Sequence, residues 1–196
     1  MCMAAIFLFP CDAFANVAEN IESNDETVNN ITDVSCPHIQ DTGINMDNND
    51  ISKRIVTKRI IVHHTGEKID RDISAQQINH IHQCSCGWKG IGYHYVIRKD
   101  GTIEMGRSEG LMGAHALSNN CDSIGIALAG NFNLADPTEA QMQSLMTLSY
   151  YLANKYELDL KQHGILQGHR EVNVTSCPGD SLYSKLDYVR NHSVAN

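Results

Sequence analysis

No run in this 196-residue sequence is apolar for long enough to cross a bilayer as a helix, which takes about 20 residues. Stable membrane insertion is therefore not expected. Positive charge is also in short supply. Fifteen Lys and Arg face 23 Asp and Glu, for a formal net charge of −8. Such a field attracts neither nucleic acid nor an anionic membrane as the main partner. No segment repeats another, and the length suits one well-buried domain.

The start, M-C-M-A-A-I-F-L-F-P-C-D-A-F-A-N, lacks the basic residues that usually open an export signal. It does hold a short apolar stretch ending in Ala13-Phe14-Ala15, an A-x-A-like cleavage site. Residues 1–15 are predicted to be a signal peptide, giving a secreted or periplasmic protein. Cys11 follows Leu8-Phe9-Pro10, a poor fit to a lipoprotein cleavage box. Residues 16–50 are rich in Asn, Asp, Glu, Ser and Thr, and read as a polar linker or arm. The compact domain is predicted over 51–196.

There are seven cysteines. With Cys2 and Cys11 in the signal and Cys177 engaged elsewhere, Cys36, Cys84, Cys86 and Cys121 remain. An even remainder in an exported chain suggests two disulfides, and the alternative is free buried thiols. One intervening residue makes a strained ring, so Cys84 and Cys86 are not expected to pair with each other.

Hydrophobic patterning predicts an α/β domain. Arg59-Ile60-Ile61-Val62 is a β-branched run without helical period, hence a buried strand. Asp72 to Gln83 has helical spacing at Ile73, Ile78 and Ile81. Ile91 to Ile97 and Thr102 to Met105 flank a D-G turn and read as a hairpin. Ser123 to Ala129 is another buried strand. A helix is predicted next, with Asp136 as N-cap, Pro137 at its first position and Glu139 completing a capping box. Its apolar face is Met142, Leu145, Met146, Leu148, Tyr151 and Leu152. A short strand near 160–166 and a helix near 181–190 follow. The expected architecture is a single domain with a central mixed β-sheet flanked by helices.

Near the end, G-H-R-E-V-N-V-T-S-C-P-G holds His169 and Cys177, and the strand K-R-I-I-V-H-H-T-G ends on His63 and His64. Two histidines and one thiolate supply three ligands for Zn²⁺ and leave a fourth tetrahedral position open, the pattern of a catalytic site. Neighbours on a strand point to opposite faces, so His63 and His64 do not both enter one site. A structural zinc site would need a fourth protein ligand, and His64 is the only nearby residue for it.

Taken in order, V-H-H-T, G-Y-H-Y-V-I-R-K-D-G-T-I-E-M-G-R, G-A-H-A, N-N-C-D-S-I-G-I-A-L-A-G-N-F and G-H-R-E-V…T-S-C-P-G-D resemble the zinc-dependent N-acetylmuramoyl-L-alanine amidases. That group includes amidase-type phage lysozymes and peptidoglycan recognition proteins. The resemblance spans about Lys58 to Leu186. It implies the recognition-protein-like amidase fold, peptidoglycan or muropeptides as partner, and hydrolysis of the amide between N-acetylmuramic acid and L-alanine. It implies His63, His169 and Cys177 as metal ligands and Tyr93 as a catalytic tyrosine. Thr175 stands where the phage branch has lysine, and its hydroxyl is expected to assist. Ala127 stands where recycling amidases of the family carry a glutamate base, so no carboxylate is expected from that strand. Glu171 has only its nearness in favour of that role. His94, His115, Trp88 and Asn131 resemble groove-lining, substrate-binding residues. The rival reading is a non-catalytic peptidoglycan-binding recognition module, but such members typically lack the cysteine that Cys177 supplies. Asn173-Val174-Thr175 matches a glycosylation sequon inside the ligand loop and is read as coincidence. Nothing in the sequence specifies an oligomeric state.

Overall fold

Two β-branched runs make the longest strand pairing of one sheet. They are β2, Arg59–His64, and β5, Ser123–Leu128, paired in parallel from Arg59 opposite Ser123 to His64 opposite Leu128. A computed structural model describes residues 36–46 and 51–192. The predicted signal and residues 16–35 and 47–50 of the arm lie outside the described residues. The other strands are β1 (Ile39–Gln40), β3 (Tyr95–Ile97), β4 (Ile103–Met105) and β6 (Leu166–Gly168). The order is β1-β4-β3-β5-β2-β6, parallel throughout except for the β3–β4 hairpin. The helices are α1 (Ala75–Cys84), α2 (Glu139–Tyr156), α3 (Asp180–Tyr183) and α4 (Leu186–His192).

Alternation along each strand sends side chains to opposite faces. On one face Ile60, Val62, Ile124, Ile126 and Leu128 pack against Leu145, Leu148 and Leu152 of α2 and Leu186 and Val189 of α4. On the other face Val96 packs with Ala75 and Ile78 of α1, beside Ile73, Ile91 and Ala129. This is the single domain with a mixed sheet and flanking helices that the sequence predicts. No helix among the described residues is long and apolar enough to cross a membrane.

Several boundaries move, each for a local reason. α1 starts at a capping box of Ser74 and Gln77, while Asp72 is drawn off to Arg98 at 2.7 Å. The α2 cap is Thr138 with Gln141, not Asp136 with Glu139. Asp136 instead accepts from the Ser181 hydroxyl. Thr138 Oγ1 accepts from Gln141 N–H at 3.0 Å and donates to the Lys99 carbonyl at 2.7 Å. Thr138→Ala is therefore expected to cost about 1–2 kcal/mol, seen as a lower urea midpoint at unchanged slope.

The predicted strand over 91–97 keeps only Tyr95–Ile97. A Cβ at Gly92 would lie 2.2 Å from the Ala114 carbonyl oxygen, and Asn79 and His82 of α1 take the N–H groups of Ile91 and Gly92. The 160–166 strand lies at Leu166–Gly168, and the final helix is two, α3 and α4. Within the stretch read as an arm, β1 joins the sheet edge, and Ile44 and Met46 join the α1-side core. Packed structure thus begins before Ile51. No disulfide forms among the described cysteines, and Cys84, Cys86 and Cys121 are free and exposed rather than bridged or buried.

Candidate active site

Val62 on β2 pairs with Gly168 on β6, so the next residues, His63 and His169, leave adjacent parallel strands side by side. Their rings lie 4.4 Å apart between centroids. A 3-10 turn, His169–Glu171, opens the loop that carries Cys177 back to the sheet. Arg170 N–H binds the Cys177 carbonyl at 2.9 Å and closes that loop. Gly179, at φ +91° and with the Phe132 backbone 2.5 Å from where a Cβ would stand, turns the chain onward into α3.

One donor atom from each of His63, His169 and Cys177 lies within 4.8 Å of the others. Cys177 Sγ is 3.6 Å from His63 Nδ1. Tetrahedral Zn–N and Zn–S bonds of about 2.0–2.3 Å put neighbouring ligand atoms about 3.4–3.7 Å apart, so this spacing fits such an ion. The electrostatics fit as well. Burial first, then His115, His169 and His64, hold the His63 pKa well below the usual value, leaving the neutral imidazole that ligates metals. Burial pushes the Cys177 thiol up to about 12 against smaller opposing effects of the His64 N–H and Arg170. A cation among these three groups would stabilise the thiolate that burial alone disfavours.

His64 turns to the opposite face, as strand alternation requires. Its Nδ1 accepts the Phe132 N–H at 3.2 Å, and burial, then Arg170 and His169, lower its pKa to about 4. Its backbone N–H still points at Cys177 Sγ, 3.5 Å away.

Tyr93 stands in the wall, its ring 5.2 Å from that of His63 and backed by His82 at 5.8 Å. Burial, then Cys177 and Cys86, raise its pKa, so the phenol keeps its proton. Its hydroxyl makes no hydrogen bond to another described residue. Thr175 is exposed, and its Oγ1 accepts the Cys177 N–H at 3.1 Å, so the hydroxyl proton is not used in that bond. Trp88 is 45% exposed, its ring 4.7 Å from that of His82, on the Tyr93 side of the site.

Three sequence-predicted groove residues sit elsewhere in the hydrogen-bond scheme. His94 is 0% exposed and cannot reach a ligand. Its Nδ1 accepts the Gly125 N–H at 3.0 Å and its Nε2 donates to the Leu111 carbonyl at 3.1 Å. His115 is buried behind His63, with its Nδ1 3.0 Å from His63 Nε2. The Asn131 amide is spent on backbone: Nδ2 donates to the Glu67 carbonyl at 2.6 Å and Oδ1 accepts from Asn133 N–H at 3.1 Å. It fastens together the loops at the carboxyl end of the sheet.

Ala127 is fully buried opposite His63 in register, so that strand places no carboxylate at the site. Glu171 is committed to the Gly168 N–H and to Arg190 at 2.8 Å. It anchors the loop that carries His169 and Cys177. Sequence reasoning missed Asn173, whose Oδ1 lies 3.1 Å from His169 Nε2, and His82, which supports Tyr93. The helical spacing of His82 from Ile78 was the one available signal for it.

Fold and site together define an amidase. Residues 52–180 match the family described as N-acetylmuramoyl-L-alanine amidase, and the chain belongs to that family. It is 37% identical over 134 residues to an endolysin of Enterobacteria phage T3, covering 66% of this chain and 85% of that protein. It is 34% identical over 131 residues to peptidoglycan-recognition protein SC2 of Drosophila melanogaster, covering 64% and 70%. Among solved structures, the N-acetylmuramoyl-L-alanine amidase LysC from Clostridium intestinale URNW superposes with a TM-score of 0.70 at 38% identity, covering 80% of this chain and 99% of that one.

Proposed function

We propose that this chain holds Zn²⁺ on His63, His169 and Cys177 and hydrolyses the amide between the lactyl group of N-acetylmuramic acid and L-alanine in peptidoglycan. The observation that carries the reading is the convergence of two imidazoles and one thiol, with 3.6 Å between His63 Nδ1 and Cys177 Sγ, at the carboxyl ends of two parallel strands. Three protein ligands leave a coordination position free, as catalytic zinc sites do.

When bound, zinc supplies Lewis acidity toward a carbonyl oxygen and toward water at neutral pH. The chain's own residues do the rest. Tyr93 presents a protonated, internally unbonded hydroxyl that donates to the oxygen developing negative charge in acyl transfer. Thr175 fixes the Cys177 backbone through its oxygen and keeps its own proton available as a second donor. With Ala127 in place of an acid and Glu171 tied to Arg190, no side-chain carboxylate is assigned the role of base. Water adds across the C–N bond, giving a lactyl carboxylate on the glycan and a free amino terminus on the stem peptide. Action on a wall requires the protein to leave the cytoplasm, and we assign that task to the apolar segment ending at Ala15.

The test is digestion of purified peptidoglycan with and without a zinc chelator, read by mass spectrometry of the products. Free stem peptides with L-alanine amino termini are expected, lost on chelation and restored by added zinc. Circular dichroism is expected to change little, because the sheet has its own apolar core on each face. Full activity at zero bound metal would overturn the zinc assignment. Binding to the wall without cleavage would make the chain a recognition module instead.

A further inference from the structure

We propose that two residues which supply no ligand, His115 and Asn173, set the proton positions of the two histidine ligands through relays that both end on one turn. The inference rests on reading His63, His169 and Cys177 as the metal centre.

The direction of each relay follows from what its last group can do. The Ser123 hydroxyl donates to the Asn119 backbone carbonyl, which only accepts. The Ser123 proton is therefore spent, and its oxygen faces His115 Nε2 at 3.4 Å as an acceptor. His115 Nε2 then carries the proton, and in a neutral imidazole Nδ1 is left as an acceptor. That Nδ1 lies 3.0 Å from His63 Nε2, which must donate. The lone pair of His63 is thus on Nδ1, the atom 3.6 Å from Cys177 Sγ.

His169 is set in the same way. Asn173 Nδ2 donates to the Leu117 carbonyl at 3.2 Å, which fixes the amide so that Oδ1 faces His169 Nε2 at 3.1 Å. Nε2 carries the proton and Nδ1 keeps the lone pair.

Both relays end on carbonyls of one turn, Leu117 and Asn119. That turn is itself pinned, since Asn120 Oδ1 accepts the N–H groups of His115 and Ala116, each at 2.9 Å. The slot for His115 is built as well. A Cβ at Gly125 would lie 2.6 Å from the His115 ring, and one at Gly113 would lie 2.4 Å from it. Two glycines make room for a ring that touches a ligand rather than a substrate. Such outer partners orient a ligating histidine and fix its tautomer, and losing one costs about 10–100-fold in metal affinity.

Two measurements test this, neither dependent on amidase activity. In the zinc-loaded full-length chain, ¹⁵N-histidine NMR is expected to show protonated Nε2 on both His63 and His169. A proton on Nδ1 of either would overturn the proposal. In competition with a chromophoric chelator, His115→Leu is expected to weaken zinc binding by about 10–100-fold. His115→Gln, whose amide again offers an acceptor and a donor, is expected to restore most of it. Asn173→Ala is expected to weaken binding in the same range. Equal zinc affinity in His115→Leu, Asn173→Ala and wild type would overturn the positioning role while leaving the metal centre intact. A wild-type chain that binds no zinc would remove the metal centre and this inference with it. If His115→Leu does not fold, the NMR tautomers and Asn173→Ala still decide.

Discussion

Cys177→Ala is expected to remove zinc and amidase activity together while leaving the fold in place. The thiol is the only sulfur donor in the cluster and the only one of its three groups able to bring negative charge to the ion. Without it, two neutral imidazoles remain, which is short of the three ligands of catalytic zinc sites. The lost rate is on the order of 10²-fold or more, since metal-borne charge stabilisation is worth several kcal/mol. The cost to the metal-free fold is small. Cys177 lies at the loop edge of the sheet, and its one internal contact from a backbone donor is a long one, 3.5 Å from His64 N. Metal content by mass spectrometry, peptidoglycan digestion and thermal unfolding separate these effects. A variant that keeps zinc and wild-type rate would show that the cluster is not the reaction centre. A variant that loses activity only by unfolding would show a structural thiol.

The parts legible in the sequence are those set by short-range rules. β2 and β5 announce themselves as β-branched runs, and period-two alternation keeps His63 and His64 out of one site, while the family resemblance picks His63 of the two. The apolar face of α2 is also plain, with Leu145, Leu148 and Leu152 fully buried as its spacing predicts. Its start is not plain. Asp136…Glu139 and Thr138…Gln141 are both capping-box patterns, and the choice between them falls to tertiary partners, Ser181 for Asp136 and the Lys99 carbonyl for Thr138. Tyr93 is readable as a residue but not as a position. It lies just before β3, in a segment held off the regular strand by Gly92 against Ala114 and by side chains of α1. β1 was hidden because Ile39 is a lone apolar residue among polar ones and pairs with Ile103 far along the chain.

The same distinction divides the site. The three candidate ligands carry their chemistry in their residue types. The residues that orient them do not, because a histidine that binds substrate and one that holds another histidine look alike in a sequence. His94 and His115 stand in motifs that suggest a groove, yet one is fully buried between two backbone groups and the other backs onto His63. Asn173, read only as part of a sequon, gains its role from a carbonyl 56 residues away in sequence, that of Leu117.

Tyr93→Phe is expected to lower kcat by about 10²–10³-fold, the usual effect of removing one oxyanion donor. KM and zinc content are expected to stay near wild type, because an interaction made only in the transition state shows itself in kcat. The substitution is unusually clean here. The Tyr93 hydroxyl has no hydrogen-bond partner among the described residues, so deleting it leaves no buried group unsatisfied, and stability should shift by less than about 0.5 kcal/mol. The ring stays, and with it the packing against His63 and His82. Thr175→Val lacks that clarity, since Thr175 Oγ1 also holds the Cys177 N–H, and its loss would move the ligand as well as a donor. The comparison gives the two variants different signatures. Tyr93→Phe should lose rate at constant zinc affinity, and Thr175→Val should lose some of both. An unchanged kcat in Tyr93→Phe would take the phenol out of the reaction and leave Thr175 as the remaining side-chain donor assigned to the oxyanion.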